Sequence, residues 1–108
     1  MNTEQIQVIR VRPHQEPELI TIDSTLRALQ REVGGYIEMV TLSNTAVAVC
    51  NEEGKILGME LNRRVGADII VGTFLITGYR GSETVSLSEK DILVYMELFK
   101  ETEEEFFI

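Results

Sequence analysis

Asp68-Ile69-Ile70-Val71-Gly72-Thr73-Phe74-Leu75-Ile76-Thr77 is the most apolar stretch of the chain, and its reading decides the fold. Hydrophobicity that runs almost unbroken, without polar alternation, marks a strand covered on both faces. The stretch therefore predicts a central strand with packing above and below it. The rest of the chain must supply its neighbours in the sheet and the layers that cover it.

Upstream, Gln5 to Arg12 is a strand rich in Ile and Val. Ile6 and Val8 share one parity and Ile9 and Val11 the other, so the strand is either buried on both faces or bulged near Val8 and Ile9. Pro13 ends it, His14 to Glu18 is a loop, and Glu18 to Ile22 returns as the second strand of a hairpin. Asp23-Ser24-Thr25 starts a helix, with Asp23 or Ser24 accepting from the free amides of the first turn. Leu26, Leu29 and Val33 recur at helical spacing until Gly34-Gly35 stops a helix of about ten residues. From Tyr36 to Leu42 the period is that of a strand, and Ser43-Asn44-Thr45 is a turn. Ala46 to Cys50 is a strand of small residues. Asn51-Glu52-Glu53-Gly54 reads as a hairpin turn with Gly54 at positive φ, followed by a short strand over Lys55 to Leu57.

Downstream, Ser88 opens a last helix. Ser88 and Asp91 form an S-x-x-D capping box, the acid reaching back to the cap amide. Ile92, Tyr95, Met96 and Phe99 make its apolar stripe. The order is strand, strand, helix, four strands, helix. That pattern predicts an α+β fold, a mainly antiparallel sheet of five to six strands with two helices packed on it. With 108 residues, of which 44% are hydrophobic and 26% charged, residues 1–108 form one domain around one core.

The chain carries 18 acidic and 10 basic side chains, a net charge of -8. Such a balance argues against direct nucleic-acid binding through a basic face. One Cys makes neither an internal disulfide nor a cysteine zinc cluster, and one His leaves no two-histidine metal site. No basic region followed by an apolar core opens the sequence, and no apolar run approaches the ~20 residues that span a bilayer. A cytoplasmic protein with no membrane partner and a reduced Cys50 is expected.

Four segments stand in a recognisable order: Val33-Gly34-Gly35-Tyr36-Ile37-Glu38, Cys50-Asn51-Glu52-Glu53-Gly54-Lys55, Leu61-Asn62-Arg63-Arg64, and Asp68-Ile69-Ile70-Val71-Gly72-Thr73-Phe74. Together they resemble the domain-of-unknown-function family 3846, small proteins of bacteria and their phages. The resemblance runs from Ile6 to the final helix. It implies the fold and a mobile-element origin, and it brings no catalytic residue to this chain.

Asn62-Arg63-Arg64 is the best polar cluster. In a loop, two guanidinium forks and an amide could hold a phosphate or carboxylate on an otherwise acidic protein. The alternative is pairing with Glu60 or with the acidic end of the chain. Gly35 could let backbone approach a ligand on which Tyr36 stacks, although a helix stop beside a tyrosine explains the same residues. Thr73, Lys55 and Arg80 are weaker additions, since only folding could bring them near. His14 reads as an exposed loop residue and Cys50 as a buried, inert thiol. There is no phosphate-loop motif.

Glu97 to Glu105 carries a net charge of -4, half that of the whole chain. Phe106, Phe107 and Ile108 follow, and three apolar residues beyond an acidic run are expected to dock on the domain or on a second subunit. With no nucleophile, acid–base pair or metal set above chance, catalysis, cofactors and metals are not expected. The leading expectation is a homo-oligomeric, non-enzymatic binding protein of phage origin. It would sequester an anionic nucleotide-like immune signal through Asn62, Arg63, Arg64, Tyr36, Gly35 and Thr73. The alternative is an acidic protein-binding inhibitor or DNA mimic acting on a host protein.

Overall fold

In the structure, a computed structural model that describes residues 4–103, the apolar stretch breaks in two at Gly72. The elements run β1 (Gln5–Val11), β2 (Glu18–Asp23), α1 (Leu26–Val33), β3 (Ile37–Thr41), β4 (Ala46–Asn51), β5 (Leu61–Val65), β6 (Asp68–Val71), β7 (Phe74–Arg80), β8 (Glu83–Val85) and α2 (Glu89–Leu98). Gly72 has a φ of 71°, a left-handed conformation open to glycine, and it donates its N–H to Glu60 O at 2.7 Å. The expected single strand is therefore two strands in two sheets. β6 pairs with β5 in a two-stranded sheet, and β7 runs through the middle of a six-stranded one.

The large sheet has the order β2-β1-β7-β4-β3, with β8 paired to the end of β7, and every pairing in it is antiparallel. The fold is α+β, as its sequence pattern predicts. β7 earns its central place by composition: Phe74, Leu75 and Ile76 are all fully buried. They alternate between two cores, one on each side of the sheet. α1 covers the first with Leu29 and Val33 over Ile6, Val8, Val47, Val49 and Leu75. α2 and the β5–β6 hairpin cover the second, where Tyr95, Phe99 and Ile70 meet Ile9, Val11, Phe74 and Ile76. Each such fully buried aliphatic or aromatic side chain contributes about 1.5–3 kcal/mol. The radius of gyration, 13.1 Å, is that of one domain of about 100 residues.

The ambiguity in β1 resolves the same way. Its register with β2 is unbroken from Gln5↔Asp23 to Arg10↔Glu18, so there is no bulge. Ile6 and Val8 face the α1 core while Ile9 and Val11 face the other.

Three local expectations change. The cap of α1 is Thr25, whose Oγ1 accepts from Ala28 N at 3.1 Å; Asp23 accepts from Gln5 Nε2 instead. Lys55 to Leu57 is not a strand. Leu57 N–H bonds Glu53 O in a looped turn, and Gly54 is needed for space, because a Cβ there would lie 2.8 Å from Val71 Cγ2. The capping box of α2 is half made. Ser88 Oγ accepts from Asp91 N at 3.1 Å, but the Asp91 carboxylate accepts from Thr45 Oγ1 at 2.7 Å, tying the helix start to the β3–β4 turn. The expected docking of Phe106, Phe107 and Ile108 lies outside the described residues.

Candidate functional site

Asn62, Arg63 and Arg64 are not in a loop. They form the middle of β5, across an irregular register between Leu61 and Arg63. Asn62 is 1% exposed and Arg63 2%, so the expected anion seat faces inward. A buried guanidinium is tolerated only when its donors are satisfied, and every nitrogen of Arg63 is engaged. Nε and Nη2 both donate to Phe99 O, at 3.3 and 3.1 Å. Nη2 also reaches Gln15 O at 2.6 Å, and Nη1 reaches Asn62 Oδ1 at 2.8 Å. Asn62 Nδ2 in turn donates to Val11 O and Gly72 O, at 3.0 and 2.8 Å.

This arrangement explains the end of α2. Phe99 is its C-cap, and its last turn contains no basic residue, while Glu97 and Glu101 load it with negative charge. Arg63 brings a cation from a different element to the negative pole of the helix. Burial pushes the Arg63 pKa down, opposed by Glu103; arginine stays protonated at any ordinary pH.

Arg64 points the other way. Its backbone N–H donates to Glu103 Oε2 at 2.6 Å and its Nε lies 3.5 Å from Glu103 Oε1. It lies in the wall of a cleft of about 550 Å³ between the end of β3, the β5–β6 turn and the C-terminal end of α2. Val40, Leu42, Tyr95 and Phe99 give that cleft an apolar floor, and Glu101 and Glu103 give it an acidic rim.

Gly35 and Tyr36 are elsewhere. They line a smaller hollow with Asn51, Glu53 and Leu57, and Thr73 lines neither. Of the six expected ligand residues, Arg63 and Arg64 meet in the lining of the cleft, Asn62 is internal, Gly35 and Tyr36 stand at a separate corner, and Thr73 lies in the link between the two sheets. Asn51, which sequence reasoning passed over, builds that corner. It is buried, donates Nδ2 to Val33 O at 3.2 Å and accepts from Glu53 N at 2.7 Å. Gly35 has no side chain because a Cβ would lie 2.9 Å from Asn51 Nδ2. One amide thus locks the end of α1 to the turn after β4. The locked corner presents three large apolar side chains to solvent: Tyr36 at 64% exposure, Leu57 at 60% and Ile56 at 85%. Ile56 and Leu57 stand between Gly54 and Gly58, a pattern that signals a projecting turn.

Cys50 is buried, as expected. Burial, then the charges of Glu38 and Asp68, push its thiol up to about 11. The thiolate is the reactive form, so labelling by iodoacetamide at pH 7.5 is expected to be far slower than for a free thiol until denaturant is added. Rapid native labelling followed by mass spectrometry would contradict this. His14 Nε2 lies 2.9 Å from Glu60. Among the described residues, no group of three His, Cys, Asp or Glu side chains could hold a metal ion, and no helix is long and apolar enough to cross a membrane.

The fold and its surfaces define an acidic α+β domain with a sheet covered on both faces, a helix capped by a buried arginine, and a corner of exposed apolar side chains; Leu93 and Leu98 of α2 are exposed as well. The chain belongs to the family described as "Domain of unknown function (DUF3846)", whose model matches residues 6–100. No curated protein and no solved structure matches it.

Proposed function

We propose that this protein is a non-enzymatic protein-binding domain that grips its partner with the Tyr36–Ile56–Leu57 corner. The observation that carries the reading is the exposure of these side chains on a corner locked by Asn51, because ordered exposed apolar clusters mark interaction surfaces. Carboxylates outnumber cations around it: Glu53 lines the hollow between Tyr36 and Leu57, and Glu38, Glu52 and Asp68 line the adjoining one with Ile56, where Lys55 is paired with Asp68. The complementary partner is a protein with an apolar pocket rimmed by Lys and Arg. An acidic inhibitor of a bacterial protein, carried by a phage, fits this chemistry.

The experiment uses Ile56→Asp combined with Leu57→Asp. Both side chains are exposed, so the melting temperature should hold within a few degrees. A purified partner first found with the wild type should lose at least tenfold in affinity, and added salt should weaken the wild-type complex. Unchanged affinity would remove the reading. A second reading, capture of an anionic nucleotide, is favoured by the size of the cleft beside Arg64. It requires the ligand to displace Glu103 from Arg64, and Arg63 has no nitrogen to spare. Calorimetric titration with a nucleotide panel decides it: stoichiometric binding lost in Arg64→Ala supports that reading, and silence favours the first.

A further inference from the structure

β3 ends the large sheet, and among the described residues nothing pairs with its outer edge. Its register with β4 is unbroken from Ile37↔Asn51 to Thr41↔Val47. Glu52 N–H donates to Tyr36 O at 2.8 Å and Leu42 N–H donates to Ala46 O at 3.1 Å. These bonds fix the phase of the ladder. In an antiparallel pair alternate residues bond inward, so Glu38 and Val40 join Tyr36 and Leu42 in facing β4. Ile37, Met39 and Thr41 then turn their N–H and C=O groups outward.

Natural sheets guard such edges with proline, lysine, bulges or cover. The opposite edge strand, β2, follows Pro17 and is bracketed by Glu18 and Asp23. β3 has no Pro, Lys, Arg or bulge; its one charged residue is Glu38, and Met39 on it is exposed. Ile37 and Met39 also line a hollow of about 600 Å³, in which Leu26 and Leu29 of α1 stand with polar residues such as Arg80 and Glu83.

We infer that two copies of this chain associate through β3, antiparallel about a two-fold axis at Met39, to form one continuous sheet. The spacing of the outward residues is self-complementary. Ile37 pairs with Thr41 of the second copy, Met39 with Met39, and each N–H meets a C=O. Glu38 stands opposite Val40 of the second copy, so the two Glu38 carboxylates are diagonal neighbours and do not face each other directly. A closed two-fold contact also leaves no further free β3 edge to propagate. Each copy carries a net charge of -8, so association tightens as salt screens the two molecules from each other. That is opposite to the salt response expected for a basic partner at the Tyr36 corner, and the two proposals stand or fall separately.

Sedimentation velocity from 1 to 100 μM, at 50 and 300 mM NaCl, tests the inference. The wild type should move toward the mass of two chains with concentration, more readily at high salt. Met39→Pro removes an outward N–H and no bond of the β3–β4 ladder, and should remain monomeric. Met39→Glu places two carboxylates face to face at the axis and should weaken the dimer at least tenfold; it decides the matter if the proline variant does not fold. A wild type that stays monomeric at 100 μM, or a folded Met39→Glu that dimerises as well as the wild type, overturns it.

Discussion

Arg63→Ala is expected to lower the melting temperature by roughly 15 °C, corresponding to about 3–5 kcal/mol for a domain of this size. The change removes more than a charge. It strips the donors from Phe99 O, Gln15 O and Asn62 Oδ1, and a buried polar group left unsatisfied costs about 1–3 kcal/mol. It also uncaps α2 at an end that carries Glu97 and Glu101 and no basic side chain in its last turn. Lysine does not rescue it, because a single ammonium cannot place parallel donors on one carbonyl while reaching two others. Arg64→Ala is the internal comparison. Its pair with Glu103 is partly exposed, and such pairs contribute less than about 1 kcal/mol. Circular-dichroism melts of the two single variants should therefore differ sharply. A similar, small shift for both would show that Arg63 is not the strut described here.

The contrast between these neighbouring arginines marks how far the sequence can be read. Binary pattern carries the large features. The change from helical to strand period at Gly34-Gly35 places α1 before β3, and the apolar run after Asp68 places a buried strand at the centre of the sheet. What pattern does not carry is direction in space. Nothing in the order Asn62-Arg63-Arg64 says that one guanidinium enters the interior while the next stays at the surface. That depends on the register irregularity after Leu61 and on the arrival of Phe99 from residues far along the chain. The split at Gly72 was equally hidden, because a glycine inside an apolar run is compatible with a continuous strand until Glu60 is found accepting its N–H. Ile56 and Leu57 show the opposite error. Two apolar residues after a turn read as a strand, yet the flanking Gly54 and Gly58 make them a projection, Gly58 with a φ of 70°. Fold class is a matter of periodicity, which is local. The candidate site is a matter of which backbone carbonyls and amides converge, which is not.

Phe74→Ala should cost about 3–5 kcal/mol, the range for truncating a buried phenylalanine, and its interaction with Arg63→Ala is the more telling quantity. Phe74 is fully buried at the start of β7. Its ring meets that of Phe99 edge to face, with centroids 5.6 Å apart and planes at 81°, an arrangement that contributes about 0.5–1.5 kcal/mol beyond burial. Phe99 is thus held twice, its ring by Phe74 from the large sheet and its carbonyl by Arg63 from the small one. Each hold depends on the other to keep the end of α2 against the second core, so the loss of one loosens what the other grips. The two substitutions should therefore be less than additive, with a coupling of about 1–2 kcal/mol, as expected for residues sharing one partner. A complete denaturation cycle would be measured in a stabilising osmolyte so that the double variant retains a folded baseline. Strict additivity would mean that Phe99 responds to its ring and its carbonyl independently, and that α2 is fixed chiefly by its other contacts, Tyr95 in the core and Asp91 on Thr45.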